Sequence, residues 1–265
     1  MKAIFISDSH LKTRDSESYE TLMTFLKSLK GKKDIDTVEK RLSYPLEKEI
    51  ADVDDLYILG DFFDFWFSKG STIDPEFSDV VNTLSELQNR GINIHLCEGN
   101  HDFLLTEFFH GRLGMEVIRD WSAIALDGRR VFIAHGDTID EKNTRYLLMR
   151  RLFRSRFVYK LQRRCPIVFL RWAAQIFSYL NKEFTTETDD SLANKMRSFS
   201  MGKFHDGFDA VVLGHCHKHH IEEPVVDGNK KTFALLGDWV RHYSYLCYEN
   251  GTFVLEKFYP AECQK

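Results

Sequence analysis

The 265-residue chain carries 36 Lys and Arg against 40 Asp and Glu, giving a net charge of −4 and a pI of about 6.3, which excludes a globally basic nucleic-acid binder. Its length suits one large domain, or one domain with an insertion, and is enough to bury a sizeable core. Five scattered cysteines (Cys97, Cys165, Cys216, Cys247 and Cys263) argue for reduced thiols and against a disulfide framework.

The first element begins almost at once. Residues 2–7 read Lys-Ala-Ile-Phe-Ile-Ser, a β-rich run that ends at Asp8-Ser9-His10 and predicts no cleaved signal peptide. Leu56-Tyr57-Ile58-Leu59 is a second run, ending at Gly60-Asp61-Phe62-Phe63-Asp64. Ile92-Asn93-Ile94-His95-Leu96 leads to Gly99-Asn100-His101-Asp102. Val131-Phe132-Ile133-Ala134 ends at His135-Gly136-Asp137. After a long different stretch, Ala210-Val211-Val212-Leu213 ends at Gly214-His215-Cys216-His217.

Short apolar, β-branched runs of this kind predict buried strands of an α/β protein. In such sheets ligands bind beyond the carboxyl ends of the strands. The five polar blocks are therefore expected on one rim. Together they offer carboxylate, imidazole and carboxamide donors, a set that suits two hard-to-borderline divalent metals. One block alone would be a turn or a helix cap. Five, each at the end of a strand-like run, are hard to explain by turn chemistry. Cys216 lies between two candidate ligands and reads as a packing residue.

The stretch at about 141–200 breaks the average and predicts a helical insertion. From Arg145 to Arg171 it has no acidic residue, but Arg145, Arg150, Arg151, Arg154, Arg156, Lys160, Arg163, Arg164 and Arg171 are basic. Met149, Leu152, Phe153 and Phe157 follow helical spacing, and Pro166 ends or kinks one helix. Three uses fit: an ordinary amphipathic cover, a surface for anionic membranes, or a lid over an anionic lipid substrate. In the last, Arg151 and Arg154 are substrate-binding candidates. A transmembrane helix is not expected, because the apolar run from Cys165 to Leu180 is short and contains Arg171.

The ordered set from Asp8 to His217 resembles the calcineurin-like metallophosphoesterase superfamily. That resemblance implies a two-sheet β sandwich of the α/β class, flanked by helices. It implies that Asp8, His10 and His217 hold one metal, that Asn100, His135 and His215 hold the other, and that Asp61 bridges them. A carboxylate suits the bridge because it has two oxygens, and the neutral Asn100 limits the negative charge facing a phosphate. His215 and His217, two apart on an extended segment, are expected to point to one side and serve adjacent metals. By the same resemblance His101 contacts the phosphate or the leaving oxygen, with Asn100 beside it on the substrate. Asp102 is expected to fix the His101 tautomer. Asp64 and Asp137 suit partners that orient the ligand imidazoles.

The wording of residues 60–67, 99–105 and 135–138, with the helical insertion, is similar to the UDP-2,3-diacylglucosamine hydrolase group. That group cleaves a UDP-linked diacyl sugar to UMP and a lipid monophosphate in lipid A biosynthesis, usually with manganese; iron and zinc also suit the donors. The better-known branch has Arg where this chain has His101. The implied reaction is attack of water on the α-phosphorus, with a phosphate leaving group that departs without much protonation. The implied place is the cytoplasm, peripheral on the cytoplasmic face of the inner membrane, with a nucleotide-linked lipid and an anionic membrane surface as partners and no nucleic acid. Oligomeric state is not read from the sequence. Two other classes fit the motifs: a phosphodiesterase or phosphatase for soluble phosphoesters, and a non-catalytic scaffold.

Overall fold

Strand alternation divides the apolar residues between two cores. In β1 (Lys2–Ile6), Ile4 and Ile6 join one buried cluster while Ala3 and Phe5 join another. In β2 (Asp55–Leu59) the same split puts Leu56 and Ile58 on one side and Tyr57 and Leu59 on the other. Successive strand side chains point to opposite faces, so a sheet covered on both sides needs apolar residues at every position. The computed structural model describes residues 1–33, 49–70, 72–162, 164 and 189–259.

Two sheets pack face to face. The first contains β1, β2, β3 (Asn93–Cys97), β4 (Glu116–Ile118), β10 (Ser244–Glu249) and β11 (Thr252–Lys257), in the order β11-β10-β1-β2-β3-β4. Strands β1 to β4 are parallel, and the β10–β11 pair is added antiparallel at β1. The second contains β5 (Trp121–Leu126), β6 (Arg129–Ala134), β7 (Ala210–Leu213), β8 (His219–Glu222) and β9 (Thr232–Leu236), in the order β8-β9-β7-β6-β5. Its three inner strands are parallel and its two edges antiparallel. Phe5, Tyr57, Leu59, Ile133, Val212 and Leu236 belong to the core between the sheets.

Helices α1 (Glu17–Ser28) and α2 (Ser78–Asn89) cover the outer face of the first sheet. The Ser16 side chain caps α1 by accepting the Tyr19 N–H. Leu22, Phe25 and Leu26 of α1 are fully buried, each contributing roughly 1.5–3 kcal/mol. The expected α/β sandwich flanked by helices is the fold observed. From the expected insertion, the described residues form α3 (Thr144–Phe153), α4 (Arg156–Gln162) and α5 (Asp189–His205), which runs on past residue 200. Helix α5 packs Met196 and Phe204 on the second sheet. Arg163, Pro166, Arg171 and the run from Cys165 to Leu180 lie outside the described residues. No helix among the described residues is long and apolar enough to cross a membrane.

Candidate metal centre

The parallel strands end on one rim, and backbone hydrogen bonds stitch their loops together. The Asp8 N–H donates to the Gly60 carbonyl at 3.1 Å and the His10 N–H to the Asp61 carbonyl at 2.9 Å. In the second sheet the Gly214 N–H donates to the His135 carbonyl at 2.9 Å. Bonds between side chain and backbone also tie one sheet to the other at this rim. The His215 N–H donates to Asp8 Oδ2 at 2.9 Å, and His135 Nδ1 donates to the Leu59 carbonyl at 2.9 Å.

The local backbone is unusual. Asp8, His10, Asp61, His215 and His217 have φ of 53°, 44°, 49°, 68° and 53°. A left-handed backbone is costly for residues with a Cβ and persists where the surroundings fix it, commonly at functional sites. The segment carrying His215 and His217 is therefore not extended, as the sequence suggested. Its left-handed turns send His215 toward His135, with ring centroids 4.9 Å apart, and His217 toward His10, 5.1 Å apart. Gly60 has φ 85°, and a Cβ there would lie 2.6 Å from His135 Nδ1; a Cβ at Gly99 would collide with Asp61 Oδ1.

The predicted donors converge. His10 Nε2 lies 4.0 Å from Asp8 Oδ1 and 3.9 Å from Asp61 Oδ2, and His217 Nε2 lies 3.9 Å from Asp8 Oδ1. On the other side, Asp61 Oδ2 is 3.5 Å from His135 Nε2, which is 3.0 Å from Asn100 Oδ1. Asp8, His10 and His217 bring ligand atoms within 4.8 Å of one another, and so do Asp61, His135 and His215. A third such group, His10, Asp61 and His101, joins the two. Ligands bonded to one ion at about 2.1 Å stand roughly 3–4 Å apart, so these separations suit shared cations.

The burial pattern fits divalent metals as well. Asp8 Oδ1 and His10 Nε2 are buried and have no hydrogen-bond partner among the described residues. A buried polar atom without a partner is expensive, and a cation satisfies a carboxylate oxygen and an imidazole lone pair together. Burial works against a charged His135, but the Asp61, Asp8 and Asp137 carboxylates outweigh it and push its pKa up to about 10. Burial and the neighbouring His135 hold His215 down at about 4. The carboxylates thus pull positive charge into the rim, and metal ions would displace protons from it.

Four further aspartates brace the site. Asp102 differs from its expected role. Its Oδ1 accepts the N–H groups of Asp61 (2.9 Å) and Gly99 (3.0 Å), and its Oδ2 those of Phe62 (2.7 Å) and Phe63 (3.1 Å). The His101 ring instead donates Nδ1–H to the Asp64 carbonyl at 3.1 Å. Asp102 is a backbone clamp because a fully buried carboxylate needs several donors, and the loop supplies four. Asp64 places Oδ1 3.7 Å from His10 Nδ1, on the side where an orienting partner was expected. Asp137 instead accepts from Tyr146 Oη (2.5 Å) and Arg150 Nε (2.8 Å) of α3.

The fourth, Asp238, escaped the sequence reading. It is buried, stands 3.6 Å from His217 Nδ1, and also accepts the Val240, Arg241 and His242 N–H groups. The signal was present: Ala234-Leu235-Leu236 followed by Gly237-Asp238 repeats the pattern of Leu59-Gly60-Asp61.

The two arginines proposed for substrate have different fates. Arg151 is exposed. The Arg154 side chain is 13% exposed and its guanidinium is engaged by Glu98 and by the Gly99 and Arg119 carbonyls, so the protein itself uses its charge. Cys216 is buried in the core under α5, as a packing residue.

A helix-flanked two-sheet sandwich with a rim of these donors is the architecture of a phosphoesterase, and the chain belongs to the calcineurin-like phosphoesterase family, whose family model matches residues 1–219. It is thereby a metal-dependent phosphoesterase. Within the family it is similar to the UDP-2,3-diacylglucosamine hydrolase of Pseudomonas putida, 30% identical over 207 residues that cover 77% of this chain and 85% of that one. The enzyme of that name from Porphyromonas gingivalis is 28% identical over 282 residues, covering 98% and 99% of the two chains. That from Vibrio atlanticus is 25% identical over 258 residues, covering 97% of each.

Proposed function

We propose that this phosphoesterase hydrolyses the pyrophosphate of UDP-2,3-diacylglucosamine to UMP and 2,3-diacylglucosamine 1-phosphate, a step of lipid A biosynthesis, with manganese as the working ion. The observation that carries this reading is the meeting of seven metal-type donors at a rim flanked by a basic helical insertion, in a chain whose similarity to enzymes of that name runs over most of its length.

Asp8, His10 and His217 would hold one ion, Asn100, His135 and His215 the other, and Asp61 both. Divalent ions held by these residues would supply Lewis acidity toward water and the phosphoryl oxygens. The protein's own groups do the rest. His135 has Nδ1 committed to the Leu59 carbonyl, which leaves Nε2 to face Asp61 and Asn100. Asn100 adds a neutral oxygen where a doubly anionic substrate must approach. His101 is oriented through its bond to the Asp64 carbonyl, and an Nε2–H on the same ring would donate to a phosphoryl oxygen and stabilise charge there. A departing phosphate needs little protonation, so a strong acid is not required of it.

The insertion supports a place at a membrane. Leu148, Leu152 and Phe157 are 70%, 59% and 75% exposed, and Arg145 and Arg151 are exposed beside them. Apolar side chains among cations suit the boundary of an anionic bilayer. This favours a peripheral position on the cytoplasmic face of the inner membrane, with α3 and α4 as part of a lid over the acyl chains.

The test is hydrolysis of UDP-2,3-diacylglucosamine in detergent micelles and 18O-water, read by mass spectrometry. The expected result is UMP carrying one 18O and unlabelled lipid phosphate. Cleavage of a small soluble phosphodiester without cleavage of the lipid nucleotide would favour the soluble-substrate alternative. Loss of both with two metals bound would favour a scaffold.

A further inference from the structure

The end of α3 is fastened to the loop that carries Asn100 and His101. Arg154, at the C-cap of α3, places Nη1 3.2 Å from Glu98 Oε2 and 3.0 Å from the Arg119 carbonyl, and Nη2 2.7 Å from the Gly99 carbonyl. The Glu98 side chain is 4% exposed, and its Oε1 accepts the Leu105 N–H at 3.0 Å, closing the loop on itself. One turn earlier, Arg150 Nε reaches Asp137 Oδ2 at 2.8 Å, two residues beyond His135. Helix α3 is thus tied to the two loops that carry Asn100 and His135, whereas α5 pairs Asp190 with Lys218 beside His217. The opposite group, Asp8, His10 and His217, is braced by Asp64 and Asp238 instead.

We propose that Arg154 is a positioning residue for the Asn100 side of the centre, so that α3 sets the geometry of one metal site and not the other. The inference rests on the ligand assignment given above. A guanidinium is required because three acceptors on two loops must be met at fixed angles by one planar group. A lysine ammonium keeps the charge opposite Glu98 but cannot span Glu98 Oε2, the Gly99 carbonyl and the Arg119 carbonyl with the same geometry. Groups that orient a metal's ligands typically change its affinity by about 10–100-fold when altered.

The test is manganese titration of the full chain, read by metal content and by electron paramagnetic resonance. The native protein is expected to bind two ions whose spins couple. Arg154→Lys should weaken one ion by about 10–100-fold, giving the spectrum of an isolated ion where the native protein shows a pair. Asp238→Asn should instead weaken the other ion. Glu98→Gln/Arg154→Gln removes both charges, leaves no buried lone ion, and should repeat the Arg154→Lys result. Folded variants with two native-affinity, coupled ions overturn the proposal. Failure of both Arg154 variants to fold, judged by circular dichroism, also overturns it, since the pair is then needed for the fold itself. A native protein that binds a coupled pair yet leaves UDP-2,3-diacylglucosamine intact refutes only the substrate reading. A native protein with no coupled pair refutes the ligand assignment and this inference with it.

Discussion

Asp102 holds Asp61 by its backbone: Oδ1 accepts the Asp61 N–H at 2.9 Å, while the same carboxylate takes the N–H groups of Gly99, Phe62 and Phe63. Burial and the nearby Asp61 charge push the Asp102 pKa up to about 7, with the backbone donors offsetting only part of that rise. One side chain therefore sets the relative position of the Asp61 and Asn100 loops.

Asp102→Ala strands the buried Asp61, Phe62 and Phe63 N–H groups, each costing about 1–3 kcal/mol when unsatisfied, while the Gly99 N–H keeps the backbone carbonyl of residue 102 at 3.2 Å. The expected loss of stability is at least about 3 kcal/mol, with metal content falling below two. Urea unfolding and metal analysis measure both. A variant with native stability and native metal content would remove the clamp from this account.

Chelation should abolish phosphodiesterase activity and manganese should restore it. Asp61→Ala should lose far more activity than Asp64→Ala. Asp61 Oδ2 stands 3.9 Å from His10 Nε2 and 3.5 Å from His135 Nε2, whereas Asp64 approaches the Nδ1 atoms of His10 and His101 and the Lys12 ammonium. Rates and metal stoichiometry of the two variants, measured side by side, decide it; equal losses would contradict a bridging Asp61.

The inner strands were legible because each motif sits at the end of an apolar run, and those runs became β1, β2, β3, β6 and β7 within a residue or two; the two-sheet sandwich itself was implied by the family resemblance. The candidate donors were legible because five such blocks, each after an apolar run, are hard to explain by turn chemistry. Contacts between distant segments were not. Asp102 reads like a partner for its neighbour His101 until the fold brings the Phe62 and Phe63 amides to it. Arg154 reads as a substrate-binding candidate in a basic run until the fold places Glu98 and the Arg119 carbonyl against it. Positive φ at five of the donors was hidden too, since Asp and His carry no such requirement on their own.

His101 is expected to stabilise charge without being needed for metal binding. His101→Ala should lower kcat by roughly 10²–10⁴-fold while metal content stays near two. Its place in a cluster with His10 and Asp61 makes metal content the deciding measurement. If a folded variant loses an ion, His101 is a ligand. Substantial activity in His101→Arg would show that either cation can meet the phosphate.

Arg151 is exposed on α3 beside Leu148 and Leu152. Arg151→Glu should weaken binding to vesicles containing an anionic phospholipid by about 1 kcal/mol or more, with the difference shrinking at high salt. Hydrolysis of a small soluble phosphodiester should change little, because the donors lie on the sheet rim. Sedimentation with vesicles at two salt concentrations is the measurement. Unchanged binding would leave the exposed apolar residues of α3 without a membrane role.

Away from the rim, His95 sits between two carboxylates at the start of the parallel strands. Its Nε2 is 2.9 Å from Asp55 Oδ1 on β2 and its Nδ1 is 2.5 Å from Glu116 Oε2 on β4, while its ring stacks 4.3 Å from Tyr57. Burial alone would lower its pKa, but the two carboxylates outweigh burial and raise it above 6.5. A raised folded-state pKa means that protonated His95 stabilises the fold. That contribution is complete below its unfolded value near 6.5 and is lost as pH rises through the folded value. Glu116 is 59% exposed, so part of the effect is screened by salt. His95→Gln keeps a polar side chain but cannot carry the charge. The stability difference between wild type and His95→Gln should therefore be largest near pH 6 and shrink toward pH 9. Taking the difference at each pH cancels the titration of the distant metal ligands, which both proteins share. Urea unfolding at pH 6, 7.5 and 9 measures it, and a difference that stays constant across that range would show that His95 is neutral in the fold.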